Sequence, residues 1–410
     1  MVTDVIIIGG GAAGLCAAVY IKQKAPQLSV RILEACPRVA KKLALTGNGR
    51  CNITNKNINL SRYHGENVSF CEYALHKYAY PQTAEFFESI GVPIVFEGDK
   101  GYPASLQANS VVDALRFTAD NLGVITHLET KVSNIQVSTD GYKLISGSMT
   151  FYCRNLIIAT GLLSGGDRLG CDGSMLELLK KAGFPVVKPT PAIVQIKTHT
   201  DIVRQLKGIK VNANATLSID GKPCRTEFGE VLFCDYGLSG PPILQISREV
   251  SRTDKKRVIS LDLCPQESFE TLYYKLATRA KNLSYRNLDE FFTGFLHKRL
   301  GQIVLKLAGC DINDGVKTLD NVKLKKITSI LKAFAFEVVG TTGFSNSQVT
   351  AGGLAVSSFY NSTMMSKAYK NLYAIGEILD IDGDCGGFNL QWAWSSAMCA
   401  ADSIIKESGL

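Results

Sequence analysis

The chain has 410 residues, of which 46% are hydrophobic and 20% are charged, and its formal net charge is +8. This length exceeds one ordinary domain, and the apolar content supplies two or three packed cores, which excludes a disordered or low-complexity protein. The positive charge is modest for the length, so we expect a small-molecule substrate and no nucleic-acid partner.

Cysteine and histidine usage is typical of a reducing compartment. The 12 cysteines are scattered singly without a C-x-x-C pair and only five histidines are present, so we expect a cytoplasmic protein with no metal site. The uncharged stretches Val5–Ile21 and Cys385–Ala401 are short and interrupted by glycine or polar residues, so no membrane span is predicted. The start of the sequence lacks the charged region of an export signal.

The first predicted element is a short apolar strand, Val5–Ile8, which leads into a dinucleotide-binding fingerprint. Gly9, Gly11 and Gly14 form the pattern G-x-G-x-x-G, and Glu34 ends the next apolar run about 20 residues further on. In this pattern the first glycine makes a tight turn, the second lets the backbone approach a pyrophosphate, and the third lets the helix pack on the strand. The helix N-terminus then faces the phosphates, and Glu34 accepts hydrogen bonds from ribose hydroxyls.

Periodicity and turn residues predict the remaining elements of the first 189 residues. Helices are predicted at Gly11–Lys24, at Ala74–Ile90 and from Ser110, with Asp113 in a capping box, to about Asn121. Strands are predicted at Ser29–Leu33, Lys131–Val137, Gly141–Ser146, Thr150–Tyr152 and Leu156–Ala159. The middle three strands form a meander, the last is a buried parallel strand, and the polar segment 45–55 is a loop.

The character of the sequence changes after residue 189 and returns at about residue 340. Residues 190–265 are rich in β-branched residues and turn signals, and residues 266–339 are mainly helical in period. The last part holds a predicted strand at Leu372–Ile375 and a helix from Asn389 to about Lys406. We therefore predict an α/β fold in which residues 1–189 and 340–410 form one discontinuous domain, interrupted by a β-domain (190–265) and a helical domain (266–339).

Two strand ends and one loop are predicted to contact the same dinucleotide. Ala159–Gly161 and Gly376-Glu377 each follow a predicted parallel strand, at the edge where doubly wound sheets bind ligands. Glu377 would place a carboxylate on a sugar-alcohol chain, and Gly386-Gly387 precede a helix whose N-terminus is free to face an anion. The polar loop L-T-G-N-G-R-C-N at 45–52 would cover the adenosine or reach the reactive ring.

These motifs resemble the BaiN/YhiN-like flavoproteins along the whole chain. Besides the fingerprint and Glu34, the matching segments are K-L-x-x-T-G-N-G-R-C-N at 42–52, G-Y-P-A-S at 101–105, G-L-S-G-P at 237–241, T-A-G-G at 350–353 and G-E-x-L-D-x-x-G-x-x-G-G-F-N-x-Q-W-A at 376–393. The resemblance implies FAD in a glutathione-reductase-like Rossmann domain with an inserted β-barrel and helical domain. It also implies an oxidoreductase, because members are assigned as NAD(P)H-dependent reductases of 3-oxo bile-acid intermediates or as aminoacetone oxidases.

The fingerprint, the strand ends and the resemblance together give the candidate FAD-binding residues. They are Gly9, Gly11, Ala12, Ala13, Gly14, Glu34, Ala35, Lys41, Lys42, Gly47, Asn48, Arg50, Cys51, Asn52, Val132, Ala159, Thr160, Gly161, Gly376, Glu377, Asp380, Gly387, Phe388 and Asn389. Several of them, including Lys41, Val132 and Asp380, rest on the resemblance alone.

No catalytic residue is assigned from the sequence. Tyr102, Tyr236 and Cys51 are candidate proton donors by residue type only. Asp235 stands where the resembled family usually has a histidine, so the role of that position stays unassigned.

Three functions remain open on these residues. The first is NAD(P)H-dependent reduction of a conjugated C=C bond in a 3-oxo steroid, a bile-acid-like compound or another enone. The second is an amine oxidase that passes electrons to O₂, because the sequence holds no second G-x-G-x-x-G for a nicotinamide. The third is a flavin-holding module that binds RNA or protein.

Overall fold

A computed structural model describes residues 2–409, so Met1 and Leu410, the ends of the predicted discontinuous domain, lie outside the described residues. The chain divides into two compact units. The first unit is Met1–Pro191 with Phe344–Leu410, and the inserted unit is Ala192–Gly343. Each unit has its own hydrophobic core.

The strands are numbered in chain order through both units, and those of the first unit are described first. Its strands are β1 Thr3–Ile8, β2 Val30–Leu33, β3 Thr54–Asn55, β4 Tyr63–His64, β5 Ile94–Glu97, β6 Lys100–Pro103, β7 Ile125–His127, β8 Asn134–Ser138, β9 Gly141–Ser146, β10 Met149–Ile158, β11 Val186–Ala192, β18 Val349–Leu354, β19 Leu372–Ala374 and β20 Asp382–Gly383. Its helices are α1 Ala12–Lys24, α2 Glu72–Lys77, α3 Tyr80–Ser89, α4 Ala108–Asn121, α5 Ser174–Lys181 and α11 Phe388–Glu407.

The central sheet of the first unit has the strand order β7-β2-β1-β10-β9-β8, with β19 paired to β10. Strands β7, β2, β1, the second half of β10 and β19 are parallel. Gly9, Glu34, Gly161 and Gly376 therefore all follow strands at the carboxyl edge of one sheet. The four strands before these residues thus share a sheet in spite of the long gap in sequence.

Three local predictions were wrong. The segment predicted as one helix at 74–90 is two helices, α2 and α3, because Pro81 lies in the first turn of α3 and starts a new helix. The helix α4 begins at Ala108 with Gln107 as its N-cap, so Ser110 is not a cap; its hydroxyl donates to the Gln107 carbonyl (2.7 Å). The third meander strand and the buried parallel strand are one strand, β10, antiparallel to β9 and parallel to β1.

The inserted unit combines a closed six-stranded barrel with helices. The barrel order is β12-β15-β14-β13-β16-β17, closed by the pairing of β17 with β12. The strands are β12 Ile196–Thr198, β13 Lys210–Ile219, β14 Lys222–Cys234, β15 Gly237–Ser239, β16 Arg257–Asp262 and β17 Phe334–Thr341, and the helices are α6 Thr200–Gln205, α7 Pro241–Ser251, α8 Phe269–Asn282, α9 Lys298–Leu307 and α10 Asn321–Lys332.

Strand β17 corrects the predicted helical domain at 266–339. Phe334, Phe336 and Val338 are buried while the residues between them are exposed, which is the alternation of a strand with one buried face. These side chains pack in the barrel core beside Phe233. The helical part of the inserted unit therefore ends before Phe334.

The C-terminal helix α11 is the most buried helix of the first unit. It packs along α1 and has 13 buried residues, including both tryptophans of the sequence. No helix within residues 2–409 is both long and apolar enough to cross a membrane. All 12 cysteines are free thiols.

Candidate dinucleotide-binding site

The three fingerprint glycines occupy the positions that their predicted roles require. Gly9 has φ +103°, and a Cβ there would lie 2.5 Å from the carbonyl oxygen of Ala159. A Cβ on Gly14 would overlap the carbonyl oxygen of Gly9, so helix α1 can pack this closely on β1 only with glycine. A Cβ on Gly11 would meet no atom of residues 2–409 within 4 Å, so Gly11 borders open space at the helix start.

The N-terminus of α1 is available to an anion. Within the described chain no side chain caps α1, and its first turn contains no acidic residue. The first N–H groups of an α-helix have no partner inside the helix, and here they include those of Ala12 and Ala13. Unsatisfied N–H groups and the helix dipole together favour a phosphate at this position.

Glu34 is held in place by the backbone around the fingerprint. Its Oε2 accepts from the N–H of Gly10 (2.7 Å), and its Oε1 accepts from the N–H of Cys36 (2.8 Å). Each carboxylate oxygen keeps a further lone pair for a ribose hydroxyl. A cavity at this edge of the sheet is lined by residues that include Gly9, Glu34, Ala35, Val132, Thr160 and Gly161.

The turn at Gly376 lies beside the start of α1. Gly376 has φ +69°, and a Cβ there would be 3.1 Å from the Cβ of Ala13. The carboxylate of Glu377 lies 2.5 Å from Nζ of Lys42 and accepts from the N–H of Thr350 (3.0 Å). The structure thus brings together the fingerprint helix, Lys42 and the second predicted strand end.

The polar loop 45–52 overlaps a 3₁₀ helix, Leu43–Gly49, that is interrupted by left-handed residues. Gly47 and Asn48 both have positive φ and are exposed. The guanidinium of Arg50 pairs with Glu97 and lies 4.4 Å from the centroid of the Tyr102 ring. Arg50 is therefore occupied by protein groups, whereas Asn48 is exposed.

Asn52 and Gly387 lie face to face. The Oδ1 atom of Asn52 is buried and has no hydrogen-bond partner in the described part of the chain. Gly387, the N-cap of α11, has φ +95°, and a Cβ there would be 2.8 Å from this oxygen. Helix α11 has no side-chain cap within residues 2–409. A buried acceptor without a donor calls for a ligand that donates, because an unpaired buried polar atom costs about 1–3 kcal/mol.

Two predicted cofactor contacts are engaged by the protein. The Nζ atom of Lys41 donates to the carbonyl oxygen of Arg168 (2.7 Å). Asp380 is 1% exposed and accepts from the N–H of Glu66 (2.8 Å). These bonds give both side chains structural roles, and their contact with a cofactor stays a prediction.

Three further candidates are also used in packing. Cys51 is fully buried, and burial raises the pKa of its thiol to about 12. Phe388 is 4% exposed and packs edge-on against Tyr63. The side-chain amide of Asn389 makes two hydrogen bonds to the backbone of Gly383, each of 2.8 Å. Asn389 therefore fixes the strand β20 beside the start of α11.

Sequence reasoning missed the residues that hold these segments together. The indole N–H of Trp392 donates to the carbonyl oxygen of Gly376 (3.1 Å), and that of Trp394 donates to the carbonyl oxygen of Ile53 (3.0 Å). The available signal was that the only two tryptophans of the chain stand together in Q-W-A-W. A buried indole N–H needs a hydrogen-bond acceptor, so the sequence indicated that each tryptophan donates a hydrogen bond. It did not reveal the acceptors.

Gln391 links α11 to the end of α2, to α3 and to strand β3. Its Nε2 donates to the carbonyl oxygen of Tyr78 (2.7 Å) and to Oγ1 of Thr83 (2.8 Å), and its Oε1 accepts from Oγ1 of Thr54 (2.5 Å). The side chain is fully buried. Because buried amides are costly unless satisfied, this residue specifies the position of α11.

Asp235 is an exposed residue of the inserted unit. Its carboxylate lies 2.7 Å from Nζ of Lys207, and the hydrogen bond from this lysine lowers the pKa of Asp235. Both side chains are more than half exposed. An exposed ion pair does not indicate a proton donor, so the position remains unassigned.

The profile of the HI0933-like protein Rossmann domain family matches residues 3–403. The chain belongs to this family. The resemblance drawn from the motifs is thereby confirmed, and the fold is that of the FAD-binding Rossmann proteins with an inserted closed barrel.

Relatives and a solved structure extend along almost the whole chain. A 3-dehydro-bile acid delta(4,6)-reductase of Clostridium scindens is 32% identical over 403 residues, covering 98% of each sequence. A ribosomal RNA dihydrouridine synthase of Haemophilus influenzae is 29% identical over 410 residues, again covering 98% of each. A structure of a quinol–fumarate reductase with menaquinol molecules has TM-score 0.52 and 15% identity, with 100% of this chain and 72% of that chain covered. The last comparison concerns the fold alone.

Proposed function

We propose that this chain is an FAD-dependent oxidoreductase that uses NAD(P)H to saturate a carbon–carbon double bond conjugated to a carbonyl group. The observation that carries the proposal is the pair of full-length relatives, one named for reducing a bile acid and one for making dihydrouridine. Dihydrouridine is uridine with its C5=C6 bond saturated, and that bond is conjugated to the C4 carbonyl as in an enone. Reduction of a conjugated C=C bond therefore accounts for the activities in the names of both relatives.

The residues of the first unit fit FAD. The open space at Gly11 and the uncapped start of α1 suit a pyrophosphate, and the fixed carboxylate of Glu34 suits the adenosine ribose. The carboxylate of Glu377, paired with Lys42 and next to the turn at Gly376, suits a ribityl hydroxyl. The unpaired oxygen of Asn52 suits a ring N–H of the isoalloxazine.

FAD, when bound, supplies the two-electron carrier that links a nicotinamide to the substrate. The protein's own contribution is orientation and charge. With FAD bound, the uncapped N-terminus of α11 would stabilise negative charge on the ring by up to ~2 kcal/mol, which is roughly 40 mV for a two-electron couple. This tunes the potential without selecting the reaction.

The overall reaction consumes one NAD(P)H and one proton for each double bond. A hydride is added at the β-carbon and a proton at the α-carbon, the double bond becomes single, and NAD(P)⁺ is released. Cys51 is fully buried and burial raises the pKa of its thiol to about 12, which makes it a weaker acid than an exposed thiol. Burial also raises the pKa of Tyr102.

Anaerobic mixing of the flavin-loaded protein with NADH or NADPH tests the proposal. A reductase should lose its flavin absorbance rapidly with one of the two, and a 3-oxo-4-ene steroid or a uridine should then restore the absorbance. Bleaching by aminoacetone but by neither nicotinamide would replace the reductase with an amine oxidase. Glu85→Ala, an exposed change on α3, is a suitable control for handling and folding.

A further inference from the structure

We propose that a cavity between the β5–β6 hairpin and the start of α11 binds the phosphate and ribose groups of the reductant and selects NADH over NADPH. The inference deepens the proposed function and rests on it. The sequence holds one dinucleotide fingerprint, and its glycines together with Glu34 fit FAD. A nicotinamide dinucleotide therefore needs a second site, close to the turn that carries Gly387.

The cavity has a volume of about 470 Å³, and the residues that line it all belong to the first unit. Among them are Asn55, Lys100 and Phe388. The side-chain amide of Asn55 donates to the carbonyl oxygen of Gly386 (2.8 Å), and a Cβ on Gly386 would lie 3.7 Å from Cε of Lys100. The cavity therefore borders the turn into α11, next to Gly387, where the flavin ring is proposed to bind.

Two charged side chains of the lining, Glu97 and Arg62, are neutralised by neighbours. The carboxylate of Glu97 pairs with Arg50, and the guanidinium of Arg62 lies 3.4 Å from the carboxylate of Asp384. Glu97 stands directly opposite Lys100 in the β5–β6 ladder. Because Arg50 holds this carboxylate, Lys100 does not pair with the acidic residue across the strand from it.

Two opposite charges of the lining remain unmatched. Lys100 and Asp99 are both exposed, and in the described part of the chain neither makes an ion pair. An ammonium group attracts a phosphate, and a carboxylate accepts hydrogen bonds from ribose hydroxyls. Phe388, the first residue of α11, also lines the cavity, so the partial positive charge of the helix N-terminus acts there. A nucleotide satisfies both charges, whereas Asp99 would repel a simple anion.

The charge of Asp99 distinguishes the two nicotinamide dinucleotides. NADPH carries a phosphate on the 2′-oxygen of the adenosine ribose, and NADH carries a hydroxyl there. A carboxylate accepts a hydrogen bond from this hydroxyl, but it repels the phosphate. Asp99 therefore favours NADH as the reductant.

The first test is calorimetric binding of ADP-ribose to the oxidised, flavin-loaded protein. ADP-ribose carries the pyrophosphate and riboses of NADH without the nicotinamide, and bound FAD keeps it out of the fingerprint site. Lys100→Met should weaken its binding at least about tenfold, because a charge-assisted hydrogen bond is lost. Asp99→Asn should reduce the preference for ADP-ribose over 2′-phospho-ADP-ribose by about fivefold. Tighter binding of the 2′-phosphorylated probe to the unaltered protein would refute the selection of NADH.

The matched control is Lys56→Met, which removes an exposed lysine that follows strand β3 and does not line the cavity. Its Nζ lies 4.2 Å from the centroid of the Phe96 ring. The control should bind ADP-ribose within about twofold of the unaltered protein. An equal loss in both lysine variants would show that surface charge alone acts, and would overturn the site. Unchanged affinity in Lys100→Met, or inorganic phosphate bound as tightly as ADP-ribose, would overturn it as well.

Anaerobic stopped-flow reduction separates this site from the proposed function. Lys100→Met should raise the Kd of NADH at least about tenfold, and the loss should be confined to the dinucleotide. 1-Benzyl-1,4-dihydronicotinamide has a transferable hydride and no phosphate, so it should bleach the flavin of both proteins at the same rate. An equal loss with this compound, or bleaching by NADH that does not depend on Lys100, would refute the site and leave the reductase. Binding of ADP-ribose through Lys100 without bleaching by any dihydronicotinamide would refute the reductase and support the site.

Discussion

The indole N–H of Trp392, in helix α11, donates to the carbonyl oxygen of Gly376, in the turn after strand β19, over 3.1 Å. Trp394, two positions further along α11, makes the equivalent bond to Ile53. A single helix thus positions the turn that carries Glu377 and the loop that ends in Asn52. The geometry of the proposed flavin site therefore depends on α11.

Trp392→Phe keeps an aromatic ring, but it removes the indole N–H together with part of the buried volume. The buried carbonyl of Gly376 then keeps only the bond from the Leu379 N–H (3.2 Å), and the lost indole bond should cost about 0.5–1.5 kcal/mol of unfolding free energy and loosen FAD. Denaturant titration and FAD titration measure the two effects. Tyr142→Phe, which removes a buried hydroxyl bonded to the Lys370 carbonyl, is the control. It should lose stability without losing FAD affinity; a similar loss of affinity in both variants would contradict the positioning role.

Glu34→Ala should weaken FAD at least tenfold. The change removes one or two charge-assisted hydrogen bonds to the ribose, each worth ~1.5–3 kcal/mol, and also frees the N–H groups of Gly10 and Cys36. Equilibrium dialysis of the apoprotein against FAD measures the change. Glu85→Ala should bind FAD normally. Unchanged affinity in Glu34→Ala would mean that the ribose lies elsewhere.

Glu377→Ala should weaken FAD by less than Glu34→Ala does. A ribityl hydroxyl that loses the carboxylate can bond to water instead, whereas the ribose of the adenosine meets the better fixed acceptor. Lys42→Met removes the partner of Glu377 while keeping the carboxylate, so it separates the ion pair from the contact with the cofactor. The same titration decides: a larger loss for Glu377→Ala would reverse the assignment.

Gly387→Val should lower flavin occupancy and turnover. A Cβ at this position would lie 2.6 Å from the carbonyl oxygen of Thr54 and 2.8 Å from Oδ1 of Asn52, and φ is +95°. Gly91→Val is the control, because Gly91 has φ +80° but its Cβ would meet nothing within 4 Å in the described structure. Both variants carry the left-handed strain of about 1–2 kcal/mol, and only the first adds the clash. Full flavin occupancy and turnover in Gly387→Val would place the ring elsewhere.

The sequence was sufficient for the parallel sheet and for the fingerprint. Both depend on local patterns, since an apolar run followed by Gly9, Gly11 and Gly14 specifies strand, turn and helix without distant partners. The packing roles of Gly9 and Gly14 appear in the structure as predicted.

Features that depend on distant partners could not be predicted. Gln391 bonds to Thr54 and Thr83, more than 300 residues earlier in the chain, so no local pattern reveals the contact. Strand β17 was predictable from the alternation of Phe334 and Phe336, but the helical period of α10 directly before it masked the change. Arg50 was expected in a cofactor site, and its pairing with Glu97 depends on strand β5.

The most direct test of the proposed reductase is re-oxidation of the reduced protein in the absence of O₂. The protein is first reduced with one equivalent of NADPH or NADH, and a conjugated enone is then added while flavin absorbance and product are followed together. The expected result is full return of the absorbance with one saturated product formed per flavin. Re-oxidation only after O₂ is admitted, with hydrogen peroxide formed and every enone and uridine substrate unchanged, would contradict the proposed function.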